Sequence, residues 1–261
     1  DTANPGHIYV SCHQQGIWKS TNYGATWTGP INTGTSASAI TNSAGGVTVV
    51  PVGSGSPPIL YVNNGRGSTG LYKSVDGGVN FTKVTIVPPF PADREDIYPV
   101  VFNPYNKDHI LFTGHEQNKI GQSTDGGATV SSVTMPTNPA GGSGFIFFID
   151  TGNPTTTANT WLWIAQGSGG TDGTWRTTNG GASWTKVDNN EHQHGGCQIY
   201  QPDTSGVVFM TGVYSALGWG VLRSTDYGAT WSFVGSGGNI VWGTSKKIYS
   251  ANGLDDHGPV G

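Results

Sequence analysis

Apolar and polar residues alternate in short runs along this chain and almost nowhere recur at helical spacing. Residues 47–50, 59–62, 71–74 and 81–84 each read as a short strand bounded by Gly, Pro, Ser, Asn or Asp. Runs at 100–102, 145–149 and 197–200 take the place of the first of these strands further along, and 109–112, 161–164 and 207–210 the place of the second. A strand of the second kind also stands at 7–11, and 239–244 with 247–251 predict one more pair near the end. The longest wholly apolar run, 145–149, is far short of the ~20 residues of a membrane helix.

A repeat organises these strands. Gly16-Ile-Trp-Lys-Ser-Thr-Asn-Tyr-Gly-Ala-Thr-Trp27 recurs as Gly70-Leu-Tyr-Lys-Ser-Val-Asp-Gly-Gly-Val-Asn-Phe81, and again over 119–130, 173–184 and 220–231. Its hydroxyl residue falls at Ser20, Ser74, Ser123, Thr177 and Ser224, a period of about 50 residues. A period of that size filled only with short strands means propeller blades. Within each copy, Asn22, Asp76, Asp125, Asn179 or Asp226 can accept backbone N–H groups in a tight turn. The glycines Gly24, Gly78, Gly127, Gly181 and Gly228 can take positive φ without a Cβ clash. Trp27, Phe81, Trp184 and Trp231 close the motif and are expected between blades, with Val130 in their place in the third copy. The motif carboxylates are therefore read as structural.

Ser/Thr-x-Asp/Asn-x-Gly-x-Thr/Ser-Trp resembles the Asp-box, or bacterial neuraminidase repeat, of sialidases, family 74 xyloglucanases and sortilin-type propellers. The Asn4-Pro and Asn103-Pro segments, each leading into an Ile-Tyr or Ile-Leu-Phe strand, resemble the hairpin between the first two strands of family 74-like blades. The resemblance implies an all-β protein, a β-propeller of four-stranded antiparallel blades in a single domain over residues 1–261. Five boxes and an incomplete blade are visible, which predicts a parent of six or seven blades. Enzymes, receptors and lectins share such boxes, so the resemblance specifies the fold more than the activity.

Composition narrows the class. Gly accounts for 42 of the 261 residues, charged residues for 11 % and aromatics for another 11 %, which suits turn-rich strands and excludes an all-helical protein. Nine Trp, ten Tyr and nine Phe demand a core, so intrinsic disorder is excluded as well. A net charge of −4 argues against nucleic acid as a partner. Cys12 and Cys197 allow at most one internal disulfide, and their places in the first and fifth blades make that pairing doubtful. The chain opens at Asp1 without Met or a signal-peptide pattern, as a processed or trimmed form would, and its Ser-, Thr- and Gly-rich composition leads us to expect a secreted protein.

Propellers bind ligands on the face built from the loops between second and third strands and from the connections between blades; the boxes lie on the opposite face. That rule alone selects residues 12–15, 63–66, 114–118 and 214–219, together with 91–96 and 189–194. In a chain so poor in charge, His, Glu, Asp and Arg gather there. Three readings share the face. In the first, a carboxylate pair from Glu95, Asp96, Glu116 and Glu191 performs acid–base chemistry on a glycan. In the second, His115, His192 and His194, with His13 nearby, hold a divalent metal or abstract a proton beside a uronate carboxylate, which Arg66 or Arg94 would hold. No metal signature such as His-Glu-x-x-His supports this, and no cofactor is expected. In the third, Tyr214, Trp219 and Tyr98 stack on sugar rings while Gln14, Asn63, Asn64 and Gln117 bond hydroxyls. A sialidase is disfavoured, because only Arg66 and Arg94 are available on this face. The expected function is cleavage of a polysaccharide or oligosaccharide by a hydrolase or lyase; the alternative is a non-catalytic lectin or protein-interaction propeller.

Overall fold

The computed structural model describes residues 1–12, 15–31, 40, 44–64, 70–87, 97–114, 119–136, 143–165, 173–192, 199–214, 220–236, 239–242 and 248–251. The chain enters through β1 (Ile8–Cys12) and β2 (Gly16–Ser20), a two-stranded sheet. The second blade is the four-stranded sheet β3 (Ala44–Val50), β4 (Ile59–Asn64), β5 (Leu71–Ser74) and β6 (Thr82–Lys83), hydrogen-bonded in chain order. The third repeats that order with β7 (Val101–Asn103), β8 (Asn106–Thr113), β9 (Ile120–Ser123) and β10 (Ser131–Val133). The fourth does so with β11 (Ser143–Phe148), β12 (Trp161–Ala165), β13 (Gly173–Thr177) and β14 (Thr185–Asp188). In the fifth, β17 (Val208–Tyr214), β18 (Gly220–Ser224) and β19 (Ser232–Ser236) form the outer strands, while β15 (Glu191–His192) and β16 (Ile199–Tyr200) pair successively along β17. A last pair, β20 (Asn239–Trp242) and β21 (Ile248–Ala251), matches the predicted start of a sixth blade.

Two departures from the sequence reading have local causes. A short helix α1 (Pro154–Asn159) interrupts the hairpin between β11 and β12 despite its run of Thr, because Asn153 caps it, accepting the Thr156 N–H at 3.0 Å, and Pro154 presets its first turn. Phe81 lies outside the outer strand of its blade yet is 1 % exposed, so it fills the core from the turn itself.

The register is the same wherever it is seen. The hydroxyl residue of the box stands opposite Ile8, Leu60, Trp161 and Val208 in the first, second, fourth and fifth blades. Alternation along the second strand then sends side chains to opposite sides of a blade. Leu60 and Val62 join Tyr9 and Ile17 of the first sheet, whereas Tyr61 and Leu71 join Ile110, Phe112 and Val130 of the third. Contacts divide the chain into two compact units. One comprises Asp1–Phe102, Lys107–Gly114 and Gly121–Ser132; the other comprises Asn103–Asn106, His115–Ile120 and Val133–Gly261 and has its own clusters around Met210 with Leu222 and around Leu162 with Val208.

The boxes fold as their residues dictate. In the third, the Ser123 hydroxyl donates to Asp125 Oδ1 at 2.7 Å and accepts the N–H groups of Asp125 and Gly127, at 3.3 and 2.7 Å. Asp125 then accepts the Thr129 N–H and hydroxyl at 2.8 and 2.6 Å. Asn22 and Asn179 do the same work without charge, each bonding the hydroxyl residue four positions on. The residue after the Asp or Asn has positive φ in all five boxes: Gly77, Gly126 and Gly180, but Tyr23 and Tyr227 at 58° and 57°. Its N–H bonds the segment leading into the strand before the box strand in every case, reaching Gly6, Pro58, Asp108, Asn159 and Gly206. Where the box carries Tyr that segment supplies Gly, and a Cβ on Gly206 would lie 3.2 Å from the Tyr227 ring.

Candidate functional site

The turn between the first two strands and the box share one end of each blade, so the loops after β4, β8, β12 and β17 leave from the other. In the third and fifth blades the second strand runs on past the start of the first, and its open edge takes up the incoming connection. In the third blade Ile97 bridges Gly114 and the Tyr98 N–H donates to the Thr113 carbonyl at 2.9 Å. In the fifth the same device is β15 on β17, which puts Glu191 opposite Tyr214 and His192 opposite Val213. Connection and second-strand end thus meet in these two blades.

Of the predicted site residues, Asn63 is described in full, and Glu191, His192 and Tyr214 by strand position. His13, Gln14, Arg66, Arg94, Glu95, Asp96, His115, Glu116, Gln117, His194 and Trp219 lie outside the described residues. The structure therefore brings Glu191, His192 and Tyr214 together on one strand pair. Asn63 stands at the corresponding end of the second blade, in the other unit. Its side chain is 6 % exposed; Nδ2 donates to the Ile97 carbonyl at 2.7 Å and Oδ1 has no partner. Among the described residues no three His, Cys, Asp or Glu side chains converge as metal ligands would.

One acidic residue beside this strand pair escaped the sequence reading. Asp188 ends β14 opposite Thr174, at the same end of its blade. Burial pushes its carboxyl above the ordinary carboxylate range, although the side chain and N–H of Asn190 donate to it at 2.8 and 3.0 Å and Lys186 also opposes the rise. In sequence it is merely the last residue of a Thr-Lys-Val-Asp strand, because desolvation comes from tertiary packing. Its carboxyl therefore holds its proton longer than an exposed carboxylate would, three positions before Glu191 in the chain.

Four-stranded antiparallel sheets repeated through equivalent turns define the class: this is a β-propeller protein. The family model described as Sortilin-Vps10 (sortilin, neurotensin receptor 3) matches residues 69–212, more than half of the chain, and the chain belongs to that family. Among solved structures it is similar to an ancestral GH74 enzyme, with 20 % identity, a TM-score of 0.61, and 90 % of this chain matched to 30 % of that one. It is also similar to the GH74 xyloglucanase from Xanthomonas campestris, with 16 % identity, a TM-score of 0.68, and 89 % of this chain matched to 38 % of that one. The GH74 enzyme of Niastella koreensis matches at 19 % identity and a TM-score of 0.58, over 88 % of this chain and 34 % of its own. The chain spans about a third of the length of these enzymes, and the likeness is one of fold. No curated protein matches the sequence.

Proposed function

We propose that the chain is the glycan-engaging part of a secreted, carbohydrate-cleaving propeller, with its chemistry at the loop end of the fourth and fifth blades. The observation that carries this reading is the pairing of Glu191 and His192 with the end of β17, beside the raised carboxyl of Asp188. In a hydrolase, Asp188 donates its proton to the leaving glycosidic oxygen while Glu191 activates water or attacks the sugar. Tyr214, paired in register with Glu191, is the aromatic residue this reading assigns to a pyranose ring. In a lyase, His192 takes the proton beside a uronate carboxyl group instead. The xyloglucanase named among the similar structures supports a glycan as the ligand.

The test is release of reducing ends from xyloglucan, other neutral glucans and polyuronates. Glu191→Gln and Asp188→Asn are each expected to lower turnover about 100-fold or more with the fold intact by circular dichroism. Full activity in both variants overturns the site. The family assignment favours a second reading, because its description names a peptide receptor. In that case the chain binds peptides, releases no sugar from any substrate, and calorimetry shows peptide binding weakened by Tyr214→Ala.

A further inference from the structure

Ile8 and Val10 of β1 and Trp27 of the first box form an apolar face on the first sheet, 37, 38 and 42 % exposed. The shared register identifies their counterparts. Ile8 corresponds to Leu60, Trp161 and Val208, and Val10 to Val62, Trp163 and Met210; all six are 0 % exposed. Trp27 corresponds to Phe81 and Val130, which are buried, and to Trp184 and Trp231, which are half-buried. What covers the counterparts is visible too. Leu60, Val62 and Phe81 are sealed by Tyr9 and Ile17 of the preceding sheet. Box glycines are approached in the same way: Tyr61 lies against Gly127 and Leu162 against Gly228, each from the blade before. Against Gly24 stand only Trp27 and Ile8 of its own sheet among the described residues.

We propose that this face is a docking surface for a further blade of the same repeat, carried by the same polypeptide. The interface between successive blades continues in register onto it, which argues for a blade over any other apolar partner. The recurring contacts specify what that blade presents: a Tyr or Leu from its second strand over Gly24, and a Lys or Arg from its third strand to the Tyr23 carbonyl. Lys73 and Arg176 make that second contact elsewhere, donating to the carbonyls of Gly126 and Tyr227 at 2.7 and 2.9 Å. The similar solved structures are roughly two to three times as long as this chain, so the fold accommodates further blades.

Hydroxyl-radical labelling read by mass spectrometry tests this on two samples, the 261-residue chain and the protein purified from its natural source. Trp27 and Ile8 are expected to label about fivefold less in the natural protein, with Phe81 and Trp161 protected equally in both. In the 261-residue chain, the Ile8→Lys/Val10→Lys double variant should bind severalfold less of the apolar dye ANS while shifting the melting temperature by no more than about 2 °C. Equal labelling of Trp27 in the two samples overturns the proposal. So does sedimentation showing that the 261-residue chain dimerises and that the double variant dissociates it, which would assign the face to a second copy.

Discussion

The Ser123 hydroxyl satisfies two N–H groups and orients one carboxylate, with the side chain only 2 % exposed. Ser123→Ala leaves both N–H groups without an acceptor, and calorimetry should show a loss of roughly 1–3 kcal/mol. Gly126→Ala suffers twice. Its φ of 67° is unfavourable for a Cβ, and that Cβ would meet Asp108 Oδ1 at 2.8 Å, so a further loss of about 1–3 kcal/mol is expected in the same assay. The carboxylates of these turns also set an acid limit. Bonds from the Thr129 hydroxyl and N–H hold Asp125 at about 2; burial opposes the shift in Asp76, but bonds from Asn80 and Ser74 outweigh it and hold that carboxyl at about 2 as well. The ordinary value is 3.8, so the folded chain binds fewer protons than the unfolded one between these limits. Their contribution is therefore complete above about 3.8 and is lost as the pH falls through about 2. Asn22 and Asn179 do not titrate. Relative to pH 5, acid should speed amide exchange, corrected for intrinsic rates, at Asn80 and Thr129 more than at Thr26 and Ser183; equal acceleration at all four would refute the assignment.

Between elements, cations on the third strands of the second and fourth blades tie each of them to the box turn of the next. Lys73 shares the Gly126 carbonyl with the Tyr61 hydroxyl, which donates at 2.8 Å, and burial lowers the Arg176 guanidinium without removing its charge. Lys73→Met keeps the stem and removes the donor. It should cost roughly 1–2 kcal/mol in urea unfolding, a loss that Lys73→Arg, which keeps a donor, should largely avoid. The contrast shows what the sequence could and could not disclose. Third strands and boxes were legible because their bonds span four residues or fewer, as in Ser74, Asp76 and Asn80. The pairing of Tyr227 with Gly206 was not, since only the fold brings a turn more than 20 residues upstream against the box. Nor was β15, an edge strand defined by its partner β17 and not by any alternation of its own. At the candidate site, the grouping of Glu191, His192 and Tyr214 at one end of a blade followed from topology alone. The raised carboxyl of Asp188 did not, because its desolvation comes from tertiary packing.

At the scale of the molecule, charge discriminates between the two chemistries proposed for the site. Twelve Lys and Arg face sixteen Asp and Glu, a net charge of −4, so the field around the chain repels polyanions at long range. A polyuronate must approach against that field, and only cations close to the site could reverse it. A neutral glucan feels none of it. Cleavage of a neutral polysaccharide should therefore keep its kcat/KM within about twofold between 0.01 and 0.15 M salt, over which the screening length contracts from about 30 to 8 Å. Activity on a polyuronate should rise with salt across the same range, because screening weakens the repulsion. Measuring both substrates on one preparation removes differences in folding or concentration. A polyuronate rate that falls steeply as salt is added would mean a local basic site overrides the net charge, and would move the assignment from Asp188 and Glu191 as acid and base to His192 as base.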